Sequence, residues 1–214
     1  VVSPTEVPSK EPSRLRSKAP LFAILALCLA PLVLALLAYY VPALGLRPEE
    51  SSAYGELIQP QRPMPETAAL PLTTLDGQPA DLNSLRGKWL LVSADEGACP
   101  ESCVEKLFIL RNSHASQGKN VERLARVWFL TDDAPVSDQI KQAYVGTHML
   151  RGDPEKLAAF LAPQASAAER DAALKAPMWI IDPLGNLMME FPADADPVSV
   201  RDDIRKLIRN SRIG

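Results

Sequence analysis

Two cysteines four positions apart, Cys99 and Cys103 in GACPESCVEKLF, are the residues of this chain best placed to do chemistry. On a helix that spacing sets both side chains on one face, with Cα atoms about 6 Å apart. A disulfide accepts Cα separations of roughly 4.4–6.8 Å. Pro100 suits a first helical position, where the missing N–H costs nothing. Cys99 is then expected at the N-cap, where unpaired N–H groups and the macrodipole favour a thiolate. Such a pair can cycle between dithiol and disulfide, or clamp a soft metal ion. The plain alternative is a static disulfide, although so short a loop restrains the unfolded chain little. Asp95, Glu96, Glu101 and Glu105 surround the pair in sequence, against Lys106 alone. Their charge is expected to raise thiol pKa values and disfavour a strongly oxidising site, the alternative being that these acids face solvent and are screened.

The elements that must hold the pair come from a chain of 214 residues, enough for one ordinary domain beyond its N-terminal part. A net charge of −3 argues against a nucleic-acid partner. The third cysteine, Cys28, lies in an apolar run, so the globular part holds only the pair. Two cysteines over a full-sized core read as a site, not as a disulfide scaffold.

Residues 1–19, rich in Pro and Ser, are expected to be a disordered tail. Residues 20–46 carry only one charge-free apolar run, longer than the roughly 20 residues that cross a bilayer. This segment is expected to be a transmembrane helix, with Pro31 inside it, an end near Pro42, and Tyr39 and Tyr40 at the far interface. A cleaved signal peptide would have a shorter apolar core, and Leu27 is bulky for a lipoprotein cleavage box at Cys28. Arg14, Arg16 and Lys18 before the run hold the N-terminus in the cytoplasm by the positive-inside rule, and Glu49 and Glu50 follow it. The expected location is single-pass in the cytoplasmic (inner) membrane, with the C-terminal domain in the periplasm, an oxidising compartment.

Residues 47–69, with several prolines and no periodicity, read as a linker, and residues 70–214 as the domain. Asp76-Gly77 predicts a hairpin turn, Trp89–Ser93 a buried strand running into the cysteine loop, and the helix after Cys99 runs to about Ser113. Arg126–Thr131 is a second buried strand, and Ser137–Tyr144 and Pro154–Leu161 are helices around a short strand at His148–Leu150. Met178–Ile181, a DPLGN turn and Leu187–Phe191 form a hairpin, and Asp196-Pro197 opens a last helix to about Arg209. Strands alternating with helices mean an α/β layer architecture.

Three stretches together resemble a known family. LTTLDGQPADLNSLRGKWLLVSAD resembles the opening hairpin and first central strand of extracytoplasmic redoxins, ACPESC stands at their active-site position, and APMWIIDPLGN resembles the segment where a cis-proline, here Pro177, precedes a strand and hairpin. The resemblance implies a thioredoxin-like fold, a central mixed sheet flanked by helices, over about Leu70 to Arg209. The three-residue gap opening with Pro and an acid is most similar to the Sco family. Those are membrane-anchored proteins that deliver copper to, or reduce thiols of, the copper site of cytochrome c oxidase. The chain departs from them where their copper-ligand histidine should fall: DAALKAPMWIIDP has Leu174 or Lys175 there. His114, about 16 Å along the helix from Cys103, is too far to share a metal with the pair. His148 opens a strand and reads as a surface histidine, and Met178 reads as core filler with a soft thioether in reserve.

The resemblance implies Cys99, Cys103 and Pro177 as catalytic residues of a thiol–disulfide oxidoreductase, if the protein is an enzyme. Cys99 and Cys103 are also possible Cu(I) ligands, with no cofactor required. The leading expectation is an assembly factor for the oxidase copper site, partnered by an oxidase subunit or another thiol–disulfide protein. The alternatives are a general periplasmic thiol–disulfide oxidoreductase of the cytochrome c maturation kind and a non-catalytic module that binds an assembly partner.

Overall fold

A strand covered on both sides must be apolar nearly throughout, and Trp89–Asp95 (β4) and Leu124–Leu130 (β5) have every residue buried. They pair in parallel from Trp89 opposite Leu124 to Asp95 opposite Leu130. The crossover between them carries the helix Glu101–Ala115 (α2). The computed structural model describes residues 18–40 and 53–213, and the chain divides into two units, 1–51 and 52–214.

In the second unit eight strands form one mixed sheet. Its order is β1 (Glu56–Pro63), β8 (Asn186–Phe191), β7 (Met178–Ile181), β4, β5, β6 (Thr147–Gly152), β2 (Leu72–Thr74) and β3 (Pro79–Ala80). β4, β5 and β6 run parallel, and every other neighbouring pair is antiparallel. Alternation along the strands divides the core in two. Trp89, Leu91, Trp128, Leu130, Met178 and Ile180 pack with α2 and with the helix Pro197–Asn210 (α6), and both cysteines lie in this cluster. Leu90, Val92, Val127, Phe129, Trp179 and Ile181 pack on the other face with the helix Pro154–Leu161 (α4) and Leu174 of the helix Arg170–Lys175 (α5).

Side-chain caps set the helix starts. Ser137 caps the helix Asp138–Ala143 (α3), Asp153 caps α4 and Asp196 caps α6, each carrying an oxygen that accepts an early helical N–H. The hairpin at Asp76-Gly77, the buried strands and the closing helix stand where the pattern placed them.

Residues 56–63, read above as linker, are instead the edge strand β1, paired antiparallel with β8. This strand is mostly exposed, so backbone pairing makes it, and no hydrophobic alternation announces it. The short helix α5 was also unannounced. In the first unit α1 (Ala19–Tyr40) is long and apolar enough to cross a membrane, with Pro31 inside it. The tail up to residue 17, the end of the expected span after residue 40 and the first part of the linker lie outside the described residues, as do the Tyr39 and Tyr40 side chains.

Candidate functional site

Cys99 and Cys103 form a disulfide, with Cα atoms 5.1 Å apart. The pair sits where β4 ends and α2 begins. The N-cap is Pro100, not Cys99, and Val104 N–H donates to the Pro100 carbonyl (3.0 Å). Cys99 precedes the cap with φ +49°, a left-handed conformation that costs a non-glycine residue about 1–3 kcal/mol. Its N–H donates to the Glu96 carbonyl (3.1 Å), so the chain turns tightly before the helix opens. That turn is why the cap falls one residue later than the spacing implied. Both residues are buried, Cys99 at 7% exposure and Cys103 at 1%, so Cys99 is the less enclosed of the two.

The loop before the pair is clamped from the side. Gly97 N–H donates to Asp132 Oδ1 (2.7 Å), and a Cβ at Gly97 would lie 2.2 Å from the Ala134 carbonyl oxygen. Glycine is therefore required by close approach. Arg151 of β6 donates to that same Ala134 carbonyl (2.9 Å) and ties both loops to the sheet.

Under the pair lies charge that hydrophobic patterning did not locate. Lys106 Nζ stands 2.8 Å from Asp95 Oδ2, with both side chains at most 5% exposed. This contact is a buried ion pair, while Asp95 Oδ1 accepts the Glu96 N–H (2.9 Å). Lys106 Nζ also donates to the carbonyls of Ala94 (2.9 Å) and Lys175. Burial pulls the Lys106 pKa below its ordinary value, and the contact with Asp95 opposes that shift. Ser93 Oγ, buried two residues before Asp95 on the same face of β4, has no hydrogen-bond partner among the described residues. A lysine one turn after Cys103, on the stripe it shares with Leu107 and Leu110, was the available signal: a cation on a buried stripe needs a partner.

The second lysine closes the site above α5. Lys175 Nζ lies 2.9 Å from Glu96 Oε2 and 2.9 Å from Asp171 Oδ1. Burial alone would lower its pKa, but the bonds and charges of Asp171 and Glu96 outweigh that and raise it. The four acids near the cysteines are thus not a uniform negative field. Asp95 and Glu96 are each matched by a lysine, while Glu101 and Glu105 stand exposed.

Leu174 points into the opposite core at 1% exposure, so Lys175 is the residue beside the cysteine loop. Pro177 is buried ahead of Met178, which shares the cysteines' core cluster. Its peptide bond is not the expected cis one, since among the described residues the cis bond is Gln59–Pro60. Ala176 keeps helical angles at the end of α5 (φ −77°, ψ −54°), and the chain enters β7 through a trans bond. His148 pairs with Val127, whose side chain belongs to the core opposite the cysteines, and His114 lies in the last turn of α2. No group of three His, Cys, Asp or Glu that could hold a metal occurs among the described residues.

A family model for a transmembrane-like, thioredoxin-like C-terminal domain matches residues 89–211, from the first residue of β4 to just past α6. No curated protein sequence matches the chain. Among solved structures, copper-bound ScoI from Arabidopsis thaliana is 18% identical with a TM-score of 0.50, covering 74% of this chain and 100% of that one. Copper-bound yeast Sco1 is 16% identical, with a TM-score of 0.54 and coverage of 72% and 96%. A SCO1/SenC family lipoprotein from Bacillus anthracis is 15% identical, with a TM-score of 0.52 and coverage of 70% and 98%. Identities this low establish likeness of fold, and the fold is thioredoxin-like as the resemblance implied. With the family model matched over more than half its length, the chain belongs to the family of transmembrane-like proteins with a thioredoxin-like C-terminal domain.

Proposed function

We propose that this protein is a membrane-anchored thiol–disulfide exchange protein of the periplasm, acting on a partner in the assembly of the oxidase copper site. The observation that carries the reading is the Cys99–Cys103 disulfide, set at a helix start over the buried Asp95–Lys106 pair. Reduced Cys99, the less enclosed cysteine, attacks one sulfur of a partner disulfide as thiolate, and the other partner sulfur leaves as thiolate and takes a proton. Cys103 then attacks the Cys99 sulfur of the mixed disulfide, closing the bond and releasing the second partner thiol. Two electrons pass to the partner. Lys106, one turn beyond Cys103 on its helix, is the cation placed to favour the Cys103 thiolate.

Copper enters as cargo. Two reduced thiolates suit Cu(I), which accepts soft ligands at low coordination. They do not make a Cu(II) site. Leu174 or Lys175 stands where the Sco resemblance implies a histidine; Leu174 is buried in the opposite core, and the Lys175 ammonium is engaged by Glu96 and Asp171. Thiol exchange is therefore favoured over Cu(II) holding. The helix α1 supplies the anchor, and Arg14, Arg16 and Lys18 orient it.

The test is complementation. A strain lacking the protein is expected to lose oxidase copper, regain it with the wild type, and fail to regain it with Cys99→Ser/Cys103→Ser. A double variant that complements fully makes the protein a non-catalytic binding module. Loss of c-type cytochromes with oxidase copper intact makes it a general oxidoreductase. A reporter fused after Gly214 should be active only outside the cytoplasm.

A further inference from the structure

A groove of about 850 Å³ runs along the outer side of α2, bounded by the end of α5 and the loop that opens α6. It is lined by Glu101, Ser102 and Val104 next to the cysteines in sequence, not by the cysteines themselves. Its floor is apolar, with Val104, Phe108, Tyr144 and Pro197 among its lining residues. Phe108 is 45% exposed on a helix whose other large apolar side chains are covered. Tyr144 is held in place by its hydroxyl, which donates to the Val104 carbonyl (3.3 Å).

The charges around this floor are of two kinds. The cations are already engaged within the chain: Lys106 with Asp95, and Lys175 with Glu96 and Asp171. Arg111, stacked over Phe108 and Tyr144, donates to the Ala143 carbonyl and among the described residues has no carboxylate partner, so it keeps one positive charge at the Phe108 end, against three carboxylates. The carboxylates of Glu101, Glu105 and Asp194 line the same groove, exposed, and among the described residues none has an ion-pair partner. A ligand approaching here meets apolar surface ringed by unspent negative charge.

We infer that this groove docks an apolar, lysine- or arginine-bearing segment of the partner protein and so presents the partner's sulfur to Cys99. The inference deepens the exchange function proposed above and rests on it for the identity of the reacting group. Apolar contact with Phe108 and Val104 holds the segment, and the three carboxylates select basic over acidic sequences and speed encounter at low salt. Glu101 lies two residues from Cys99 and Glu105 one turn further on, so the selecting charge runs along the helix that carries the sulfurs.

The test uses the full chain in detergent. The probes are two fluorescent peptides of equal length that share a Leu-Phe-Leu core and one cysteine. One carries four lysines and the other four glutamates. Anisotropy on the oxidised protein, with the peptide cysteine replaced by serine, measures docking without thiol–disulfide chemistry. Exchange is measured separately, from the reduced protein to each peptide's homodimeric disulfide and to neutral 2-hydroxyethyl disulfide. The basic peptide is expected to bind at least about tenfold more tightly than the acidic one, with a preference that falls as salt rises. Glu101→Lys/Glu105→Lys should abolish the preference, and Phe108→Ser should weaken both peptides. Phe108→Ser alters an exposed position and should leave exchange with the small disulfide unchanged. Glu101→Lys/Glu105→Lys changes the charge near the sulfurs, so its exchange with the small disulfide is the reference against which its peptide exchange is read.

Equal binding of the two peptides, with the small disulfide reduced normally, overturns the groove and leaves the exchange function standing. Selective binding without any exchange overturns the function and keeps the groove. Self-association of the wild type that Phe108→Ser abolishes gives the groove to a second copy of the chain and overturns the proposal.

Discussion

The two faces of the sheet are built to different rules. The core under α4 and α5 is dry, made of side chains such as Leu90, Val92, Phe129, Leu157 and Leu161. The core under α2 and α6 is as tightly buried but holds Ser93, Asp95 and Lys106 among its apolar residues, next to Cys99 and Cys103. One strand serves both, since β4 turns Leu90 and Val92 to one side and Ser93 and Asp95 to the other. A buried ion pair is a poor device for stability, because apolar residues of similar volume do as well or better. Its presence on one face only, at the end of the strand where the cysteines begin, points to chemistry on that face.

Removing one partner of the pair should produce the largest effect. Lys106→Met leaves a carboxylate buried without its cation, and the expected loss is about 3–5 kcal/mol in urea unfolding. Adding Asp95→Asn to it should restore much of that loss. On the other face, Leu157→Ala should cost a similar amount, about 2–5 kcal/mol, by leaving a cavity. The two differ in redox behaviour. Loss of the Lys106 cation should make the dithiol a stronger reductant by of order 30 mV, a tenfold change in the exchange equilibrium, and Leu157→Ala should leave the potential where it was. Equal potentials in the two variants would erase the distinction between the faces.

Copper sharpens the same contrast within the site. The reduced protein is expected to bind at most one equivalent of Cu(I) and to show no Cu(II)–thiolate charge-transfer absorption. Lys175→His should gain that absorption, because position 175 stands against Glu96 of the cysteine loop while Leu174 is turned into the opposite core. A tight Cu(II) complex in the wild type would mean that a donor other than these residues reaches the pair.

The smallest effect belongs to the histidines. Burial, then the charge of Arg126, lowers the His114 pKa, with Glu122 opposing, and Lys88 adds to the lowering. Burial, then Lys88 and Arg126, lowers that of His148. A base with a depressed folded-state pKa binds more protons when unfolded, so stability rises with pH across the window just below the ordinary value of about 6.5. Acidification through that window should lower the unfolding midpoint slightly, and His148→Gln should flatten the slope. Exchange rates with the small disulfide should follow the cysteines and ignore His148, which lies on the face away from them.

Patterning in the sequence was enough for the central strands, the helix start at Asp196-Pro197, the Asp76-Gly77 turn and the nearness of the two cysteines, because each rests on local chemistry: side-chain period, turn residues, short separation along the chain. The chain's own order of strands and helices was enough for the α/β class. Only tertiary structure made residues 56–63 a strand, since an exposed edge is defined by the backbone groups of β8 and has no apolar period of its own. It alone decided that Pro177 follows a helical Ala176 in trans, and that Cys99 stands before the cap. It also sorted four neighbouring acids into two kinds. Asp95 and Glu96 found Lys106 and Lys175, the latter 79 residues away in sequence from Glu96, while Glu101 and Glu105 stayed in solvent. Charge along a chain records what is present near a site, whereas pairing depends on which strands and helices the fold brings together.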